Sequence, residues 1–326
     1  MTAEVSPSPS GWRIALAERP LGDAPPPDDD APADGGEVGE VGPTGRPMPQ
    51  FPVPPAPERH GPAWVLAMCN QKGGVGKTTS AINLGAALTE YGRRVLLVDF
   101  DPQGALSVGL GINAMQLEST IHDVLMENDV DVRDIVLSTS VPGLDLLPSN
   151  IDLSAAEVLL VNEVGREHSL ARAIKPLLPD YDVVLIDCQP SLGLLTVNAL
   201  TASDAVVVPL ECEYFALRGV ALLLQTIDKV RERLNPRLRL AGILATMFDA
   251  RTLHGREVLA RVVERFPDEV FHTVINRTVR FPETTVAGEP ITTYAPASVG
   301  AVGYRRLARE LLARRSEPAP TSAAPA

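Results

Sequence analysis

The chain has 326 residues, a formal net charge of −12, and 45% apolar residues with only 4% aromatic ones, so one large domain or two ordinary ones with a Val-, Leu-, Ala- and Ile-rich core is expected. No apolar run approaches the ~18–20 residues of a membrane span, and the acidic, Pro-rich start lacks the compact apolar segment of a secretory signal. A soluble cytoplasmic protein is expected, with Cys69, Cys188 and Cys212 as reduced core residues rather than a metal site or disulfide framework.

Residues 1–62 hold about half of the prolines, in runs such as APPPDDDAPADGGEVGEVGP. Such a segment cannot offset its ordering entropy by burial, so an acidic, disordered tail is expected over 1–62. Within it, GWRIALAERP forms an apolar island on Trp12, Ile14 and Leu16, which reads as chance or as a short docking motif. Residues 316–326 are also expected to be disordered. Charge is unevenly spread: residues 63–217 carry about −12, and residues 218–326 about +6. A polyanion should therefore meet the last third.

Between the tails, strands are expected over 64–70, 95–99, 144–148, 182–187, 205–210, 240–246 and 270–275. Runs such as VVLID and AVVVPL are continuously apolar, as strands covered on both faces are. Helices are expected over 77–91, 154–164, 192–201, 216–234, 256–266 and 302–313. The alternation predicts right-handed βαβ units and an α/β fold with a doubly wound, mostly parallel sheet, in one domain over 63–315. In the last helix, Tyr304, Leu307, Ala308, Leu311 and Leu312 share one face, which predicts packing on the sheet rather than on a membrane.

The stretch VLAMCNQKGGVGKTTSAINLGAAL has strand, glycine turn and helix in the order a phosphate loop needs. Gly73, Gly74 and Gly76 let backbone N–H groups converge on phosphate oxygens, and the helix opening at Lys77 aims its positive end there. Lys77 is placed for the β- and γ-phosphates and the Thr78 hydroxyl for Mg²⁺. The segment from Lys72 through Val75 to Thr79 is expected to hold the nucleotide. Farther on, RRVLLVDFDPQG puts Asp99 and Asp101 just past a buried strand and on one side of it. Both can face the crevice at the carboxyl ends of the strands, where a carboxylate holds Mg²⁺ or orients an attacking water. Asp187 follows four apolar residues in VVLID, the setting of a strand-end carboxylate that binds Mg²⁺ through water.

The loop reads KGGVGKT, with Gln71 where the common pattern has its first glycine. In this it resembles the deviant phosphate loop of the ParA/MinD family of ATPases, and DFDPQ is similar to the motif of the chromosomal ParA (Soj-like) subgroup. The resemblance covers roughly 63–315. It implies the MinD-like P-loop fold, ATP with Mg²⁺, and weak intrinsic hydrolysis. It also implies an ATP-dependent sandwich homodimer in which Lys72 reaches the partner's phosphates. Lys72, Lys77 and Asp101 are the catalytic candidates; Thr78, Asp99 and Asp187 are the metal candidates. TMFDART and the later VRFPE resemble stretches in which Arg251 and Arg280 match residues that bind DNA without sequence preference, while Met247 and Phe248 match the adenine side. A ParB-type centromere-binding partner, a nucleoid-associated location and no membrane are implied. Gln189, Arg218 and Asn276 depart from the family pattern. The alternatives are a MinD-like membrane-positioned ATPase and an orphan relative serving another DNA-organising system.

Overall fold

The computed structural model describes residues 41–126, 129–213 and 216–316; the apolar island at 11–20 and the tail at 317–326 lie outside them. Seven strands form one sheet: β1 (Trp64–Met68), β2 (Val95–Phe100), β3 (Leu137–Ser138), β4 (Leu144–Leu147), β5 (Val183–Cys188), β6 (Ala205–Glu211) and β7 (Arg239–Thr246). Their order is β3-β4-β2-β5-β1-β6-β7, and only the β3–β4 pair is antiparallel. The long helices are α1 (Lys77–Thr89), α2 (Leu194–Ala202), α3 (Ala216–Arg233), α4 (Leu253–Arg265), α5 (Arg280–Ala287) and α6 (Val299–Ser316).

Side chains alternate across the sheet and build two cores. Leu66 and Met68 of β1 face one way and join Leu97, Leu185 and the residues of α1 and α6. Val65 and Ala67 face the other way and join Val98, Ile186, Leu195 of α2, Leu223 of α3 and Leu259 of α4. Helices on both faces explain why every residue of β2 and β5 is buried. The expected stripe of the last helix is buried: Tyr304, Leu307, Ala308, Leu311 and Leu312 all lie in the α1-side core, and Tyr304 Oη meets Ser80 Oγ of α1 at 3.1 Å.

Two expectations are corrected. Residues 270–275 do not form a regular strand. They run beside β7 with Phe271 N donating to Ile243 O at 2.9 Å and Ile275 N donating to Ala245 O at 2.8 Å. Between these bonds the N–H groups of His272 and Thr273 donate to the Glu310 carboxylate of α6, at 2.7 and 2.9 Å. A side chain on a helix therefore takes the donors that a further strand would have used.

Residues 41–62, expected to be disordered, instead lie along the domain. Arg46 donates to the carbonyls of Pro267, Val270 and Phe271, the last two at 2.8 and 3.1 Å. Arg93 donates to Pro55 O at 2.6 Å. His60 Nδ1 meets Asp182 at 2.7 Å, and Gly61 N donates to the same carboxylate at 3.1 Å. These polar anchors substitute for the apolar burial that the segment lacks. A partly exposed charged donor on carbonyls contributes about 1.5–3 kcal/mol in all, so Arg46→Ala should lower the melting temperature by roughly 4–8 °C. A thermal melt that matches the wild type would refute the anchoring role.

Candidate nucleotide-binding site

The phosphate loop fills residues 69–76, between the end of β1 and the start of α1. Gly74 and Gly76 have φ of 76° and 81°, a left-handed conformation that a side chain would oppose. Gly76 caps α1, and no side chain bonds to the first turn there. The helix thus opens with free N–H groups and the positive end of its dipole exposed to the loop. Lys77 is buried at 6% exposure, and its Nζ donates to Lys72 O at 3.3 Å. The ammonium is folded along the loop it is expected to serve. Two residues that the sequence reading did not single out hold the loop in place. Asn70 Nδ2 donates to Pro209 O at 2.7 Å, and its Oδ1 accepts from Lys72 N at 3.0 Å. Thr246 Oγ1, at the end of β7, donates to Val75 O at 2.8 Å. A polar residue ending an apolar strand beside a glycine loop is the signal that could have found Asn70 and Thr246.

Thr78 donates its hydroxyl proton to Asp187 Oδ2 at 2.6 Å. Asp187 Oδ1 is buried with no hydrogen-bond partner among the described residues. Asp99 stands opposite Asp187 in register across β2 and β5, and its Oδ2 accepts from Ser107 N at 2.9 Å and Ser107 Oγ at 2.7 Å. Burial pushes the Asp99 carboxyl up to about 7, against the bonds from Ser107. Burial and then the Asp99 charge push Asp187 up to about 8. Asp101 is also buried, and its Oδ1 accepts from Gln103 N at 3.0 Å. Two facing buried carboxylates, one of them with an unpartnered oxygen, and a hydroxyl form an all-oxygen donor set suited to a hard divalent cation such as Mg²⁺.

Lys72 points out of the loop, with its side chain 48% exposed. Its Nζ meets Glu211 Oε2 at 3.1 Å and Glu213 Oε2 at 2.5 Å. Burial lowers the affinity of this ammonium for its proton, but the bonds to Glu213 and Glu211 outweigh that and raise it overall. Arg277 shares Glu211 from the other side at 3.1 Å. The expected DNA residues are both exposed. Arg251 donates twice to Asp249, at 2.9 and 2.7 Å, and Arg280 meets Glu283 at 2.9 Å. Exposed pairs of this kind are worth little and leave the guanidinium groups available to another anion.

A cleft of about 280 Å³ lies beside Lys72, lined by Glu211, Cys212, Met247, Asp249 and Arg277 among others. Met247 has φ 48°, the one positive value among described residues other than glycine. Such strain is worth about 1–3 kcal/mol and gathers at functional sites. Phe248 lines the same cleft, while its side chain, 3% exposed, belongs to the α4-side core. The three cysteines are free and buried.

The raised carboxyls set the sign of a pH dependence. An acid whose pKa rises on folding contributes stability that is lost as pH climbs from its unfolded value, near 4, through its folded one. With folded values about 7 and about 8, the ligand-free protein should lose stability between about pH 4 and pH 8. Asp187→Asn should melt several degrees higher than the wild type at about pH 8, and no higher near pH 4. Equal melting temperatures at both pH values would contradict this account.

Comparison with known proteins agrees with this geometry. Residues 63–240 match the family model described as AAA domain. An uncharacterised protein of Mycobacterium tuberculosis is 66% identical over 274 residues, covering 84% of this chain and 86% of its own. The sporulation initiation inhibitor protein Soj of Bacillus subtilis is 50% identical, covering 76% of this chain and 98% of its own. Among solved structures, a chain titled cobyrinic acid a,c-diamide synthase from Mycobacterium smegmatis, with bound ADP and magnesium, is 47% identical. It superposes with a TM-score of 0.68 over 77% of this chain and 94% of its own. The chain belongs to the ParA/MinD family of P-loop ATPases, within its Soj-like group.

Proposed function

We propose that this protein is a partition ATPase: ATP closes two copies into a dimer that binds DNA without sequence preference, and hydrolysis releases both. The observation that carries the reading is the meeting of Thr78, Asp187 and Asp99 beside a phosphate loop whose Lys77 is buried and whose Lys72 is not. The similarity to Soj and the ADP and magnesium of the M. smegmatis structure support it.

In this reading the N–H groups of Gly73, Gly74, Val75, Gly76, Lys77, Thr78 and Thr79 surround the phosphates, and Lys77 neutralises them from within the same subunit. Thr78, Asp187 and Asp99 hold Mg²⁺, which neutralises charge on the phosphate oxygens. Asp101, fixed by the Gln103 N–H, orients the attacking water. The base lies in the cleft beside Met247. Lys72 leaves Glu211 and Glu213 and reaches the nucleotide of the partner subunit. Arg251 and Arg280 then face DNA phosphates from both subunits, a contact that weakens steeply with salt. A ParB-type centromere-binding protein accelerates the slow intrinsic hydrolysis. No helix among the described residues is long and apolar enough to cross a membrane, and the buried face of α6 favours a nucleoid-associated, cytoplasmic protein over a MinD-like membrane one.

Two substitutions test separate parts. Lys72→Ala should abolish ATP-dependent dimers while ATP still binds; a normal dimer by sedimentation would remove the trans-acting lysine. Joint Arg251→Ala and Arg280→Ala should weaken DNA binding by at least about tenfold at moderate salt and leave nucleotide affinity intact. An unchanged mobility shift would reject the DNA assignment.

A further inference from the structure

Val75 sits between two glycines with φ of 76° and 81°. The peptide unit that joins Val75 to Gly76 turns on the Val75 ψ and the Gly76 φ, and on the glycine side sterics leave its direction open. One contact chooses for it. Thr246 Oγ1 donates to Val75 O at 2.8 Å, and both residues are buried. In a trans peptide the carbonyl and the following N–H point in opposite directions. Holding the Val75 carbonyl toward β7 turns the Gly76 N–H away from β7. Among the described residues that N–H has no acceptor.

Thr246 is itself held rigidly. It ends β7 in register with Glu211 of β6. The chain then bends at Met247, with φ 48°, and is pinned on both sides of Phe248: Phe248 N donates to Ile275 O at 3.0 Å and Arg277 N donates to Phe248 O at 2.9 Å. The Met247 methyl packs near the Gly76 Cα, 3.9 Å from where a β-carbon there would stand. A hydroxyl on so fixed a support can impose an orientation on a peptide that ends in a glycine.

We propose that Thr246 is a positioning residue for phosphate binding: by fixing the 75–76 peptide it aims the Gly76 N–H at the nucleotide's phosphates before the nucleotide arrives. This rests on the nucleotide-binding reading above. It adds to the loop a residue more than 160 positions away in the sequence, with a defined task.

The test uses the full chain and ADP with Mg²⁺ as the probe, with adenosine as the control that lacks phosphates. Thr246→Val keeps the shape and removes the donor; Thr246→Ser keeps the donor. Calorimetry should show ADP binding weakened by roughly tenfold in Thr246→Val, with adenosine binding unchanged, and restored to within about threefold in Thr246→Ser. Wild-type ADP affinity in Thr246→Val, or an equal loss in both variants, would overturn the proposal. Hydrogen exchange on the wild type decides even if Thr246→Val fails to fold: saturating ADP should slow exchange of the Gly76 amide, and an unchanged rate would overturn the proposal. If the wild type itself binds no ADP, the nucleotide-binding reading falls and takes this proposal with it. The other adverse results reject Thr246 alone.

Discussion

Parallel pairing of the central strands β1, β2 and β5 brings Met68, Asp187 and Asp99 abreast at their carboxyl ends. That register is what the candidate site depends on. The phosphate loop starts one residue beyond Met68, so a glycine-rich loop and two buried carboxylates share a crevice with no further folding needed. The arrangement opposes stability, because two buried acids face each other. Helices on both faces hold it in place, since the strands cannot separate without exposing both cores.

Electrostatics divides the site into an inner and an outer part. Inside, Lys77 and the carboxylates are buried, and a half-buried Thr78 bonds to Asp187. Outside, Lys72, Arg277 and Arg251 are exposed, and each rests on a nearby acid. Such surface pairs are cheap to exchange for a stronger anion, which suits residues whose proposed tasks lie on another subunit or on DNA. Glu211 joins the two outer groups by accepting from both Lys72 and Arg277. Movement of the lysine would therefore change the surroundings of a residue in the basic stretch.

Much of this was legible in the sequence, for local reasons. Continuous apolar runs marked β2, β5 and β6, and the glycine loop marked the start of α1. The spacing of Tyr304, Leu307 and Leu311 marked the buried face of α6. What failed depended on distant partners. Glu310, 37 and 38 residues away, takes the N–H groups of 272 and 273 and spoils an expected strand. Arg46 finds its carbonyls more than 200 residues on and orders a Pro-rich segment that composition alone marks as disordered. The acids that hold Lys72 within its own subunit were likewise invisible, because nothing in the loop's sequence points to Glu211 and Glu213.

The central claim is that Lys72 completes the site of the other subunit. Mixing two inactive proteins, Lys72→Ala and Asp101→Ala, tests this directly. In a mixed dimer the Lys72→Ala subunit keeps its own Asp101 and receives Lys72 from its partner, so one intact site forms. ATP hydrolysis should reappear on mixing, dependent on protein concentration. If the mixture stays as inactive as its components while mixed dimers are present, Lys72 acts within its own subunit and the account is wrong.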